Sequence, residues 1–287
     1  MTDSSVTGAR RSLPFPCRGA LRAHACCARR GAALCLEPLL FTRAQNARTP
    51  VAQRINETLV ARMERLTGCK AHHLIRRGFF FSHRDLDKVL DAYERGEPFY
   101  LYTGRGPSSK SLHVGHLVPF QLTQWLQAAF RVPVVIQITD DEKFLWKGAD
   151  LEVYRDFGLA NVRDILAVGF DPERTFVLID TDQIAMLYPN TLRIQRLVSV
   201  SVAKRVFGFD DNSNIGQLAF PAIQIAPALS SSFPGLFPTR PDMWCLIPCA
   251  IDQVAMHACS SVSAVVTRGP DLWGCSWSPP PHLTKLS

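Results

Sequence analysis

His113, Gly115 and His116 lie in the stretch GRGPSSKSLHVGHLVPF, residues 104–120, where a glycine- and serine-rich loop runs into an apolar helix. Imidazoles three positions apart can bind a metal, relay a proton or lie on phosphate. A metal would need a further ligand, and the neighbouring residues supply only hydroxyls, so no metal site is expected. Phosphate suits the setting better. A helix N-terminus carries free N–H groups and roughly half a positive charge. Gly104, Gly106 and Gly115 remove side chains where a ligand would approach the backbone. His113 and His116 can donate to oxygens whose negative charge grows in a transition state.

Such a pair works only if the surrounding elements hold it. PFYLYTG (98–104) reads as a short aromatic-rich strand, and VPVVIQITD (132–140) as an apolar strand buried on both faces. Between them, Val118, Leu122, Trp125, Leu126 and Ala129 recur at helical spacing, with Pro119 placed in the first turn. Strand, loop, helix, strand is one βαβ unit. A helix near Leu159–Ala167, a strand TFVLID (175–180), a long helix from about Leu192 to Phe207 and a strand MWCLIPCAID (243–252) continue the alternation. The pattern predicts an α/β fold, a Rossmann-like parallel sheet with helices on both faces. In an open sheet of this kind ligands bind beyond the carboxyl ends of the strands, where the quoted loop lies. Two helices precede the unit. One carries Ile55, Leu59, Met63 and Leu66 and closes at Gly68. The other is capped by Ser82 with Asp85 at its third position, and ends at Gly96.

The net charge of +7 suggests a polyanion partner, but its source is local. Residues 1–50 hold eight arginines against Asp3 and Glu37, which leaves the rest nearly neutral. Residues 1–48 are an Arg/Ala/Cys-rich leader without clean periodicity. That composition fits a transit peptide, a disordered tail or a mispredicted start. Nine cysteines without a C-x-x-C spacing point to free thiols rather than a disulfide scaffold or zinc site. No apolar run reaches the roughly 18 residues of a membrane helix. After Gln253 the sequence has no sustained period, and residues 254–287 are expected to form an aperiodic tail.

HVGH after a first strand resembles the HIGH signature of class I aminoacyl-tRNA synthetases. With HHLIRRGFFFSHRDLDKVLDAY, PFYLYTGRGPSS, VVIQITDDEKFLWK, FPAIQIAPALSSSFP and CLIPCAIDQ, the chain resembles the eukaryotic cytoplasmic tryptophanyl-tRNA synthetases over about Val51–Gln253. The resemblance implies a catalytic domain over residues 49–253. It implies activation of tryptophan by ATP, bound as Mg-ATP, followed by transfer to tRNA(Trp). It also implies a homodimer and a cytoplasmic location, or a mitochondrial one if the leader is a transit peptide. ATP would lie on Gly104, Arg105, Gly106, His113, Gly115 and His116. Tryptophan would lie among Tyr102, Gln137, Glu142, Gln224 and Gln253. An indole N–H needs an acceptor, and Tyr102 or Gln137 can be one. Without the resemblance, Gln137 reads first as a structural hydrogen bond in the core. Glu142, Gln224 and Gln253 match the family's positions for the substrate ammonium.

The family's second signature, a KMSAS loop whose lysine holds the ATP phosphates, has no counterpart in these 287 residues, nor does its anticodon-binding domain. The catalytic fold is therefore expected to be incomplete at its C-terminus and the activity impaired. Another nucleotidyltransferase with an H-x-G-H loop gives no reason for the indole-matching residues. A non-catalytic, splice-type fragment that binds tryptophan or another subunit is the alternative.

Overall fold

The structure is a computed structural model in which residues 53–238, 242–250 and 263–268 are described. The strands are β1 (Gln53–Arg54), β2 (Phe80–Arg84), β3 (Phe99–Arg105), β4 (Val134–Ile138), β5 (Thr175–Ile179), β6 (Trp244–Ala250) and β7 (Ser263–Arg268). The helices are α1 (Glu57–Thr67), α2 (His73–Arg76), α3 (Leu86–Glu94), α4 (Val114–Phe130), α5 (Asp140–Trp146), α6 (Leu151–Leu166), α7 (Asp180–Leu197), α8 (Val200–Phe207) and α9 (Ile215–Ile225). One sheet joins the strands in the order β1-β2-β7-β6-β3-β4-β5. From β7 to β5 neighbouring strands are parallel, and β2 and β1 add an antiparallel edge.

The chain runs outward from β3 through β4 to β5, then returns to the opposite side of β3 as β6. β3 is thus the strand where the order reverses, and the crevice beyond its carboxyl end is where open α/β sheets take ligands. Alternation along β3 explains how the sheet is covered. Phe99 and Leu101 enter one core with Leu59 and Met63 of α1, Leu86 and Leu90 of α3, and Leu122 and Leu126 of α4. Tyr100 and Tyr102 enter the other, with Val135, Leu178, Leu187, Ala226 and Phe233. Edge-on contacts of Tyr93 with Phe130 (5.1 Å) and of Phe99 with Phe130 (5.4 Å) tie α3 and α4 to the start of β3.

Four local expectations are corrected. Ser82 does not cap a helix; it lies in β2, opposite Arg54 of β1. Buried Phe80 commits this segment to the sheet. α3 starts only after Asp85, itself the cap residue, in the left-handed region at φ 59°. The first amide of α3, on Leu86, donates to Nδ1 of His83 at 3.3 Å, so a histidine takes the role expected of the serine. Pro119 is not in the first turn, because α4 begins at Val114, directly after His113. The proline therefore deprives the Gly115 carbonyl of its amide partner in the turn above. The helix expected over Leu192–Phe207 is two helices. Val198 is extended, and the Ser199 hydroxyl accepts from the Val202 amide at 3.4 Å to start α8. The segment after Gln253, expected to carry no element, contributes β7. Its backbone pairs with β6 from Cys245↔Ser263 to Ala250↔Arg268.

Candidate active site

The loop that leaves β3 is held from below by α6. Buried Asn161 donates through Nδ2 to the carbonyls of Ser109 (2.9 Å) and Lys110 (3.1 Å), and its Oδ1 accepts from Nε of Arg105 at 3.1 Å. Asp164, one turn on, accepts from the Leu112 amide at 3.2 Å. Gly158 of α6 has no room for a side chain, because a Cβ there would lie 2.9 Å from Ile138 Cγ2. The ladder between β3 and β4 continues into the loop through the Thr139 amide, which donates to the Arg105 carbonyl at 3.0 Å.

At its far end the loop presents the histidines. His113 is the N-cap residue of α4, and its side chain makes no capping hydrogen bond to the first-turn amides. The rings of His113 and His116 stack with centroids 3.4 Å apart and planes inclined by 27°. A Cβ on Gly115 would sit 3.2 Å from the His113 ring, so glycine is what lets that ring fold back over the helix start. Arg105 brings a third cationic or donor group to the same loop. Its Nη2 is buried without a hydrogen-bond partner, and burial lowers its pKa from the usual arginine value. A buried guanidinium nitrogen with no acceptor is a costly group unless an anion completes it. Gly106 lies against the ends of Glu142 and Lys143, where any side chain would displace them.

The residues expected to receive an indole come together on the other core face. Gly104 pairs in register with Gln137, which places Tyr102 and Gln137 on the same side of the sheet. The Tyr102 hydroxyl is within donating distance of Gln137 Oε1 (2.5 Å) and of the Gln224 carbonyl (2.9 Å). A phenol has one proton to give and also accepts, so this oxygen is able to receive a donor such as an indole N–H. Burial holds the Tyr102 phenol well above its ordinary pKa, hence neutral. Gly104 is exposed, and its missing Cβ would lie 3.9 Å from the Tyr102 hydroxyl. Glycine at that point puts no side chain over the hydroxyl's approach.

Glu142 stands at the start of α5, past the end of β4. One carboxylate oxygen accepts from Lys143 Nζ at 2.7 Å and the other from the Thr139 hydroxyl at 3.0 Å. Gln224 is brought to Tyr102 through its backbone carbonyl. Gln253 lies outside the described residues. Sequence reasoning missed two groups. One is the loop clamp of Asn161 and Asp164. The other is a set of acids at the starts of α5 and α7: Asp140, Asp141 and Asp180. Gln137 Nε2 donates to both Asp180 oxygens, at 2.8 and 2.9 Å. Asp140 accepts from the Thr181 hydroxyl at 2.5 Å. Burial pushes Asp180 well above the usual carboxylate range, and pushes Asp141, hydrogen-bonded to it, up to about 6. A sequence signal existed in TDDEK and IDTD, both acidic helix starts at strand ends. Among the described residues no three His, Cys, Asp or Glu side chains are grouped to hold a metal ion, and no helix is long and apolar enough to cross a membrane.

A parallel sheet reversing at β3, with paired imidazoles on the loop beyond it, is the arrangement of the catalytic domain of class I aminoacyl-tRNA synthetases. The comparisons resolve the class further. Residues 94–227 match the family described as tRNA synthetases class I (W and Y). Human cytoplasmic tryptophan–tRNA ligase is 53% identical over 205 residues, 70% of this chain and 44% of the human protein. The cytoplasmic enzyme of Schizosaccharomyces pombe is 52% identical over 203 residues, 70% of this chain and 51% of its own length. Tryptophanyl-tRNA synthetase from Trypanosoma brucei superposes with a TM-score of 0.74 at 46% identity, covering 77% of this chain and 70% of that one. The Encephalitozoon cuniculi enzyme, solved bound to tryptophan, gives 0.72 at 41% identity, over 76% and 62% of the two chains. This chain belongs to the tryptophanyl-tRNA synthetase family. It spans about half the length of the curated relatives it matches.

Proposed function

We propose that the chain carries the tryptophan-activating site of a tryptophan–tRNA ligase, with ATP as co-substrate and tRNA(Trp) as acceptor. The observation that carries this reading is the Tyr102 hydroxyl beside exposed Gly104, on the strand that delivers the histidine loop. An indole N–H donates to Tyr102 or to Gln137 Oε1. The substrate ammonium goes to Glu142, where it replaces Lys143 Nζ, assisted by amide oxygens of Gln224 and Gln253. The amino acid's carboxylate then points toward the loop that begins at Gly104. There it attacks the α-phosphorus of ATP. The bond from phosphorus to the bridging oxygen breaks, and pyrophosphate leaves with the electron pair. The first-turn amides of α4, His113, His116 and Arg105 face the charge that builds on the phosphate oxygens, and they are already in place before it forms. In the second half-reaction a tRNA hydroxyl attacks the activated carbonyl and AMP leaves.

The relatives carry "cytoplasmic" in their names, and the same location is proposed here, with a mitochondrial one if the leader is a transit peptide. A homodimer is proposed on the family resemblance. The sequence of these 287 residues holds no KMSAS-type loop, so the chain as it stands is expected to bind tryptophan and to exchange pyrophosphate weakly. Calorimetric titration with tryptophan, alone and with a non-hydrolysable ATP analogue, tests the site. Tryptophan-dependent ATP–pyrophosphate exchange tests the chemistry. Binding with faint exchange fits the proposal, and robust exchange removes the impairment. Binding with no exchange selects the non-catalytic alternative, and no tryptophan binding removes both readings.

A further inference from the structure

A carboxamide end has a donor side and an acceptor side of nearly the same shape, so a flip about its last bond costs little steric energy. Its neighbours must decide which side points where. Around Gln137 the tyrosine does not decide. If the amide flipped, Gln137 Nε2 would donate to the Tyr102 oxygen, and Tyr102 would still have the Gln224 carbonyl, 2.9 Å away, for its own proton. The flipped state satisfies that side as well as the observed one. It would, however, present N–H groups where an indole needs an acceptor.

Asp180 breaks the tie. Both its oxygens lie on Gln137 Nε2, so a flip would set Oε1 against two acceptors. We propose that Asp180 is a specificity-determining, positioning residue, acting through the Gln137 amide to keep the pocket an acceptor for an N–H donor. This rests on the tryptophan reading of the site. The surroundings suit the role. Asp180 is 1% exposed and Gln137 fully buried, so no water substitutes for the contact. The nearby base, Arg155, is turned to Asp182 at 3.1 Å. Asp140 is held by Thr181, leaving Asp141 as the acid in hydrogen-bonding contact with Asp180. Burial of that contact favours one proton shared between the two acids. With that proton held on the Asp141 contact, Asp180 accepts from Gln137 Nε2, as the 2.8 and 2.9 Å distances require.

The test compares L-tryptophan with 3-(benzofuran-3-yl)-L-alanine, in which a ring oxygen replaces the indole N–H, by calorimetry on the full chain. The wild type should prefer tryptophan roughly a hundredfold or more, as expected where a buried acceptor is built for a donor. D180S cannot reach the amide, and serine suits the helix start at that position. Its preference should fall to within about tenfold, because tryptophan weakens and the analogue does not. D180N keeps one acceptor toward Gln137 and can donate to Asp141, so it should retain the wild-type ratio. A wild-type ratio in D180S, or a loss of equal size for both ligands, overturns the proposal. If D180S does not melt cooperatively, D180N decides, and a collapsed ratio there overturns it. Absence of any preference in the wild type instead overturns the tryptophan reading itself.

Discussion

The two ends of the proposed site, one for the indole and one for phosphate, are built on opposite principles. At the indole end Tyr102, Gln137 and Asp180 are buried and bonded to one another before any ligand arrives. At the phosphate end His113 is exposed, α4 has no side-chain cap, and Arg105 keeps a nitrogen without a partner. A closed chain of hydrogen bonds selects, because an analogue lacking the matching group leaves buried partners unmet. An open set of donors responds, because it gains most when charge develops in front of it. The two meet near Gly104, whose missing Cβ would lie 3.9 Å from the Tyr102 hydroxyl.

Substitutions at the two ends should therefore fail differently. His116→Ala should have the largest effect on rate. Loss of one positioned donor at a developing oxyanion typically costs about 10²–10³-fold, so residual ATP–pyrophosphate exchange should fall by that order. Tryptophan affinity by calorimetry should stay within about threefold, because Tyr102, Gln137 and Asp180 are already bonded to one another. Equal losses in both measurements would erase the distinction. Tyr102→Phe should show the reverse. It removes one hydroxyl from a buried network, worth about 1–2 kcal/mol, so tryptophan should bind roughly tenfold more weakly. Exchange at saturating tryptophan should change little. A large fall in that plateau would mean that the phenol also serves the transition state.

The histidine loop was the more legible of the two in the sequence. H-x-G-H between a strand and a helix is a local pattern, and its physics is local too: glycines, free amides and imidazoles within a few residues. The βαβ unit around it was readable for the same reason, since uninterrupted apolar runs become buried parallel strands. The indole end is assembled from β3, β4, α7 and α9, and its decisive contact joins Gln137 to Asp180 across 43 positions. No spacing rule reports that, and Gln137 alone looks more like a core hydrogen bond than a binding group. Ser82 misled because FFSHR carries neither a clear period of two nor a turn residue, while Ser followed by Asp imitates a helix cap. The position of Pro119 was misread because the helix starts on the histidine motif itself rather than after it.

The smallest effect concerns the acids that support the indole end, and its sign can be worked out. Burial raises Asp141 to about 6, above the value it has in an unfolded chain. Between roughly pH 4 and 6 the folded state then holds a proton that the unfolded state has released, so stability falls as pH rises through this window. Above it the buried carboxylate remains a standing penalty. A rise of this size corresponds to about 3 kcal/mol at most, and water at the half-buried side chain reduces this to about 1–2 kcal/mol. Asp141→Asn should therefore melt at a higher temperature than wild type at pH 7.5 and at the same temperature at pH 4. Denaturant midpoints at the two pH values check it. Tryptophan affinity at pH 7.5 should be unchanged, because the introduced carboxamide can still donate to Asp180 and leave the oxygens on the far side to Gln137. If the variant were instead destabilised equally at both pH values, Asp141 would be a structural anchor rather than a strained acid. The indole end would then be held by packing more than by its protons.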